Sequence, residues 1–366
     1  MIGKRESIYL DLLRSLAALT VVIGHAASEF PLPHIYIWGH EAVIAFFVLS
    51  GYVICNVADT RETDARRFIV ARLARLWSVL VPAMVLTFAC DTAGRNFGHT
   101  AAYAHVPVDH LLIRVSAVLV FLSETWVSIQ PLSNGVVWSL CAEFWYYMIF
   151  AAWVFTPPGR LRLALVASAC ALAGHKALLL LPIWLMGVAL QRWRPLRRLG
   201  PRTGAAVFAG SFVIIAAILL SGISQPLTHV MEGWVGPWIY RQLAQARIFW
   251  FDWVLGALFT AHLAGARVVM AHVPIERIAA PIRACAGVSF AAYLFHVPLL
   301  DFAAAFLRPD QGWLAIALTL LVIATLGRLA ERSKSSWRRA LDAFSRSPMT
   351  KNFLVLFFKK EQPASS

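Results

Sequence analysis

The sequence predicts an all-α membrane protein, a polytopic helical bundle of about ten transmembrane helices with both termini cytoplasmic. Three observations carry that prediction. Hydrophobic residues make up 59% of the 366 and charged residues only 14%, against roughly 45–50% and 25% in soluble domains. The apolar residues cluster into runs near or above the ~17–25 residues that cross a bilayer. The 33 basic residues, set against 19 acidic ones, fall mostly in alternate loops between those runs, as Lys and Arg do in cytoplasmic loops. The net charge of +14 therefore reads as membrane topology, and nucleic-acid binding is excluded as a partner class.

The first span, 9–29, follows Lys4 and Arg5 and ends near the small residues Ala26, Ala27 and Ser28, the outline of a signal peptide. Arg14 and His25 lie inside it, and a cleaved apolar segment has no use for buried charge, so the helix is read as retained. Further spans are expected at 40–58, 74–91, 136–156, 162–175, 177–191, 204–222, 247–265, 284–306 and 312–330. The pair 162–175 and 177–191 is short enough to be thinned or partly re-entrant. An eleventh stretch, 110–127, is interrupted by Arg114, Ser116, Ser123 and Glu124. Keeping it on the outer side puts 26 of the 33 basic residues in the inner segments. Making it a span would invert the later loops and turn the largest basic clusters outward.

The domain reading is one integral membrane domain, 1–330, and a basic cytoplasmic tail, 331–366, with 337–358 expected as an amphipathic surface helix. Residues Glu361 to Ser366 are expected to be disordered. The five cysteines, Cys55, Cys90, Cys141, Cys170 and Cys285, form no C-x-x-C pair and are read as small buried hydrophobes. No metal is expected.

An ionisable group inside a span costs several kcal/mol, about, unless it is paired, so each is a candidate for function. Asp11, Arg14 and His25 share the first span. Arg14 and His25 are 11 residues apart, which places them within roughly 20° of one helix face and about 16 Å apart along the axis. One face then carries a permanent cation near the cytoplasm and a titratable base near the far side. A boundary arginine paired with Asp11 and an interhelical histidine hydrogen bond are the structural alternatives. Glu143, in WSLCAEFWYYMIF, is a carboxylate in mid-span that must hold a proton or meet a cation. Ser50-Gly51, in FFVLSGYVI, permits close backbone approach, either to another helix or to a ligand. Arg72 and Arg75 sit near the start of the third span, where two guanidinium groups suit a phosphate-bearing ligand or simply mark the cytoplasmic side. Ser289, Tyr293 and His296 form an i, i+4, i+7 stripe, followed by Pro298, which is expected to bend the helix.

These segments, in this order, resemble the acyltransferase-3 family of membrane O-acyltransferases. The resemblance runs from Arg14 and His25 through FFVLSGY, Arg72 and Arg75, WSLCAE with Glu143, and YLFHVPLL with His296, and covers essentially the whole chain. It implies a ten-helix bundle in the bacterial cytoplasmic membrane that takes an acyl group, usually acetyl, from acyl-CoA and delivers it to a sugar hydroxyl. In that pattern His25 resembles the catalytic histidine, Arg14 its partner, and Arg72 and Arg75 the basic pair that meets the CoA phosphates. Glu143 matches the glutamate after W-S-L. Ser50 is expected on the donor side, and Tyr293 and His296 on the acceptor side. The implied partners are a glycan or lipid-linked sugar acceptor, membrane lipids and polysaccharide-synthesis proteins. Departures are Leu12 and Ser15 for two glycines, Phe144 for a second glutamate and Ile44 for an aspartate.

The expected mechanism has His25 as general base on the acceptor hydroxyl, the role suited to an imidazole, with Glu143 orienting or charge-stabilising it. A two-step route through an acyl-histidine is the alternative. A multi-pass transporter, a non-catalytic relative and an N-acyltransferase acting on a sugar amine are the rival readings. Trp126, Trp234, Trp238 and Trp250 are expected near the outer side, where they stack on sugars or belong to an interfacial belt.

Overall fold

Long apolar runs without water have one stable solution, the helix, because it satisfies its own backbone. The computed structural model describes residues 2–32, 38–104 and 106–346. In chain order the helices are α1 (Lys4–Glu29), α2 (Gly39–Thr60), α3 (Ala65–Phe97), α4 (Leu111–Leu119), α5 (Trp138–Phe155), α6 (Arg160–Arg192), α7 (Arg194–Arg197) and α8 (Pro201–Ser221). There follow α9 (Ser224–Leu243), α10 (Phe249–Met270), α11 (Ala279–Ala286), α12 (Ser289–Phe306), α13 (Gly312–Val322), α14 (Arg328–Arg332) and α15 (Lys334–Ser345). No strand forms among the described residues beyond an isolated bridge between Glu124 and Ser128.

Nine stretches of the described residues are long and apolar enough to cross a membrane. One of them, α6, is two crossings. At Gly174 the backbone takes φ 78°, ψ 168°, a conformation open to glycine and strained for other residues. Both ends of α6 return to the same end of the bundle: Arg162 donates to the carbonyl of Thr156, just after α5, while Arg192 pairs with Asp59 and covers the Phe150 ring of α5. With this hairpin counted as two, the crossings are α1, α2, α3, α5, the two limbs of α6, α8, α10, α12 and α13, the last carried on through a π-helical turn at Ile323–Gly327 into α14. They are the ten segments that the sequence predicts.

The eleventh apolar stretch does not cross. Helix α4 has nine residues, about 14 Å at 1.5 Å per residue, less than half of the ~30 Å hydrocarbon layer. Arg114 is held by the Asp109 carboxylate at 2.6 Å and the Gln130 carbonyl at 3.0 Å. That hydrogen bond keeps the exposed Asp109 carboxyl below its usual range. The residues after α4 cap the short α6 hairpin. The Thr125 backbone lies against Gly174, Trp126 donates to the Ala171 carbonyl at 2.7 Å, and Glu124 pairs with buried Lys176 at 3.1 Å.

Ser50-Gly51 divides its two offered roles. A Cβ on Gly51 would lie 2.0 Å from the Trp184 carbonyl oxygen, and one on Gly187 would lie 2.1 Å from that of Val48. Thus α2 and the second limb of α6 cross backbone to backbone, and the glycine is a packing residue.

Three prolines, Pro82, Pro182 and Pro298, sit inside crossings without breaking them. Pro298 has no N–H for the carbonyl of Leu294 four residues earlier, and the helix runs on to Phe306. Asn134 Nδ2, fully buried, donates to that carbonyl at 2.9 Å. Pro82 likewise frees the carbonyl of Ser78; Ser333 Oγ lies 3.5 Å from it while donating to the Ala330 carbonyl at 2.7 Å.

Helix α15 packs back on α3. Arg66 bonds the Asp342 carboxylate and Ser345 Oγ, and the Trp77 and Trp337 rings lie 6.1 Å apart. The expected helix 337–358 is thus replaced, within the described residues, by one that starts at Lys334 and faces the bundle; residues 347–366 lie outside the described residues. The N-terminus, α15 and the α2–α3 loop share one basic end, since Ile2 N donates to Asn56 Oδ1 and Arg5 pairs with Glu276.

If Asn134 replaces the hydrogen bond that Pro298 removes, its loss should cost less once that N–H is restored. Asn134→Leu is expected to destabilise the purified protein by about 1–3 kcal/mol, the penalty of a buried unsatisfied carbonyl. In a Pro298→Ala background the cost should fall by about 1 kcal/mol, leaving the share owed to Asn134 Nδ2 and Thr87 Oγ1, 3.1 Å apart. Thermal unfolding of the four proteins of that cycle is the check; additive effects would refute the replacement.

Candidate active site

Two cavities enter the bundle from opposite ends. The one at the basic end has a volume of about 380 Å³ and is lined by Arg14, Ser50, Arg72, Arg75, Glu143 and Tyr293, among others. The cavity at the opposite end, about 430 Å³, is lined by His25, Glu29, His40, Asp301 and again Tyr293. Val43 and Tyr293 line both, so these two side chains form the wall where the cavities meet. Tyr293 is fixed there: its hydroxyl accepts from Ser139 Oγ at 2.7 Å and donates to the Val136 carbonyl at 3.1 Å.

The single face shared by Arg14 and His25 on α1 therefore serves both cavities, one residue in each. Arg14 stands 3.6 Å from Asp11 and within electrostatic reach of Arg75, Glu331 and Glu143. Ser15 Oγ donates to the Asp11 carbonyl, which turns this departure from the family pattern into a local helix contact.

His25 meets His296 with ring centroids 4.8 Å apart and planes at 67°. Each Nδ1 lies against a backbone carbonyl of its own helix, Val21 for His25 at 3.0 Å and Ala292 for His296 at 2.9 Å. A carbonyl can only accept, so in the neutral rings Nδ1 carries the proton and Nε2 keeps its lone pair. The Nε2 of His296 is buried without a hydrogen-bond partner among the described residues. Of the stripe, Ser289 lines the basic-end cavity and Tyr293 both, whereas His296, expected on the acceptor side, is fully buried behind His25 and lines neither.

Glu143 stands apart from His25. Its Oε1 accepts from Ser50 Oγ and from Tyr147 Oη, each at 2.5 Å, and Ser50 Oγ accepts in turn from Trp184 Nε1 at 3.1 Å. The expected orienting contact between Glu143 and His25 is replaced by this cluster, because Glu143 faces the basic-end cavity and His25 the other. Phe144, where a second glutamate was expected, stacks on Phe121 at 4.3 Å, and Ile44, in the place of an aspartate, is fully buried. Both positions have become packing.

The basic pair also divides. Arg72 is buried, with Nη2 bonded to both oxygens of Glu62 at 2.9 and 2.7 Å, and its guanidinium lies 5.5 Å from the Phe68 ring. Arg75 has no ion pair among the described residues and rests 5.4 Å over Phe290. Of the two, Arg75 is the one free to meet a ligand.

Other residues of the site carry signals that the sequence reading passed over. Asp301 lines the opposite-end cavity with one buried oxygen unpartnered, and His40 bonds the fully buried Asp252 at 2.9 Å. Both carboxylates lie inside predicted spans, where the rule that flagged Glu143 applies equally. Arg61, Lys334 and Arg338 join the basic-end cavity and could not be told from loop charge by sequence. Trp126, Trp234, Trp238 and Trp250 line neither cavity, and Trp138 lines the opposite-end one.

Comparison with curated proteins and with solved structures returns no match. Residues 7–328 match the model of a family described as an acyltransferase domain. That stretch holds nearly all of the ten crossings and every residue of the Arg14–His25 face, the Ser50–Glu143 cluster and the two-histidine contact. The chain belongs to the acyltransferase-3 family, and it is a membrane acyltransferase.

Proposed function

We propose that the protein transfers an acyl group, acetyl in the simplest case, from acyl-CoA bound at the basic end to a hydroxyl of a glycan bound at the opposite end. The basic end is taken as cytoplasmic from the distribution of Lys and Arg. The observation that carries the reading is the meeting of the two cavities at Val43 and Tyr293. A CoA thioester is too anionic to cross the bilayer, and a surface glycan does not enter the cytoplasm. Two cavities of opposite approach let each substrate stay on its own side.

Charge supports this assignment. Six cations and two carboxylates line the basic-end cavity, a field that concentrates an anion. The other cavity holds Glu29 and Asp301 and no Lys or Arg, which suits an uncharged polyhydroxyl acceptor. The thioester arm reaches past Tyr293 toward His25. Nε2 of His25 takes the proton of the acceptor hydroxyl as its oxygen attacks the thioester carbonyl. A C–O bond forms, the C–S bond breaks, and the CoA sulfur takes the proton back from His25 Nε2, so that the neutral thiol leaves toward the basic end and the imidazole is regenerated. His296 packs against His25 and holds its ring. On this reading Glu143 acts through Ser50 on the donor side rather than on the imidazole.

Two experiments test the proposal. Membranes containing the protein, given radiolabelled acetyl-CoA, should place label on glycan in a linkage that mild base releases. His25→Ala should lower that transfer at least about 100-fold, the usual range for a lost general base, while acetyl-CoA binding persists. Transfer at the native rate in that variant refutes the role of His25. Separately, Val43→Trp fills the junction where the two cavities meet. Transfer should be lost, while acetyl-CoA still binds through its phosphates. Undiminished transfer would mean that the acyl group does not pass this wall.

A further inference from the structure

We propose that helix α15 completes the donor site, and that Lys334 and Arg338 on it bind the phosphates of a free nucleotide thioester of the CoA class. This rests on the reading of the basic-end cavity as the donor site.

The argument is a count of charges and partners. Arg14, Arg61, Arg72, Arg75, Lys334 and Arg338 line the cavity together with Glu62 and Glu143. Glu62 is committed to Arg72, and Glu143 accepts from Ser50 and Tyr147. Asp11 pairs with Arg14. Glu331 faces Arg14 and Lys334 electrostatically without forming an ion pair with either among the described residues. Arg61, Arg75, Lys334 and Arg338 likewise have no ion pair among the described residues. Lys334 is half-buried and feels the repulsion of both Arg75 and Arg72. Like charges gathered in one concave site oppose each other until an anion neutralises them. The four cations without an ion pair among the described residues exceed what one phosphate of a carrier-bound phosphopantetheine needs, and they match the several phosphates of a CoA head.

Half of those cations come from α15, which begins after the family match ends at residue 328. The helix is fixed by contacts away from the cavity: Arg66 to Asp342 and Ser345, Ser333 Oγ to the Ser78 carbonyl, and Trp337 against Trp77. Lys334 and Arg338 are four residues apart, one helical turn, so both project from one face. The anchored helix presents them as a wall.

The test uses the purified full chain in detergent, with acetyl-CoA and 3′-dephospho-acetyl-CoA as probes and calorimetry as readout. Lys334→Gln and Arg338→Gln should each raise the Kd for acetyl-CoA about tenfold, and the double variant about 100-fold, one charge-assisted contact per residue. In transfer assays KM should rise and kcat stay. The penalty for lacking the 3′-phosphate should shrink in at least one of the variants. Arg339→Gln, a neighbouring exposed cation outside the cavity lining, should leave Kd unchanged. The inference is overturned if the native protein binds acetyl-CoA and the double variant binds it equally well, or if Arg339→Gln weakens binding as much as Arg338→Gln. A native protein that fails to bind acetyl-CoA and takes its acyl group from a carrier protein overturns the donor assignment itself.

Discussion

Everything in this molecule is arranged around the absence of water between the two ends of the bundle. A polar group there has to find its partner within the chain, since an unsatisfied one costs several kcal/mol, about. Pro298 makes the point at the level of the backbone: it removes an N–H, and Asn134 Nδ2 from a neighbouring segment donates to the freed carbonyl. The same requirement gathers Ser50, Tyr147 and Trp184 around Glu143, directly or through the serine hydroxyl. Against that background the groups that remain unsatisfied stand out. Among the described residues they are found at both ends, Arg72 Nε and Gln191 Oε1 on one side and His296 Nε2 and one Asp301 oxygen in the half that holds His25.

The bundle also sorts its charge. Cations collect at one end and carboxylates with imidazoles at the other, and α1 joins the two through a single face. The spacing of Arg14 and His25 acts as a ruler: 11 residues of helix, about 16 Å, set how far the cationic cavity lies from the His25 imidazole. Helix α12 carries Ser289 in the basic-end cavity and Tyr293 in both, with His296 packed behind His25.

Much of this was legible in the sequence, and for a physical reason. Hydrophobic runs and the positive-inside bias are properties of segments and need no knowledge of packing, so the ten crossings and the outer position of 110–127 could be read directly. Arg14, His25, Glu143 and Tyr293 were legible because a polar residue in a dry span is conspicuous wherever its partners are. Partners themselves were not legible. Glu143 turned out to face Ser50 rather than His25, and Arg72 to be consumed by Glu62, because the direction of a side chain depends on which helices adjoin. Gly51 offered two roles that only the close crossing with Gly187 could separate. Lys334 and Arg338 were hidden among basic loop residues, where charge alone does not distinguish a binding group from topology.

The wall formed by Val43 and Tyr293 has a consequence for the membrane as a whole. On the proposed function, two cavities that admit water from opposite faces would thin the insulating layer where they approach, and the transmembrane voltage would fall mainly across these two side chains. A charge moved through that layer is worth about 2.3 kcal/mol per 100 mV. A neutral acyl thioester would pass without electrical work, whereas protons and ions would not. On that reading Tyr293, pinned by Ser139 and Val136, is an electrical seal as well as a boundary between substrates, which would let the catalyst open on both sides without discharging the membrane it sits in.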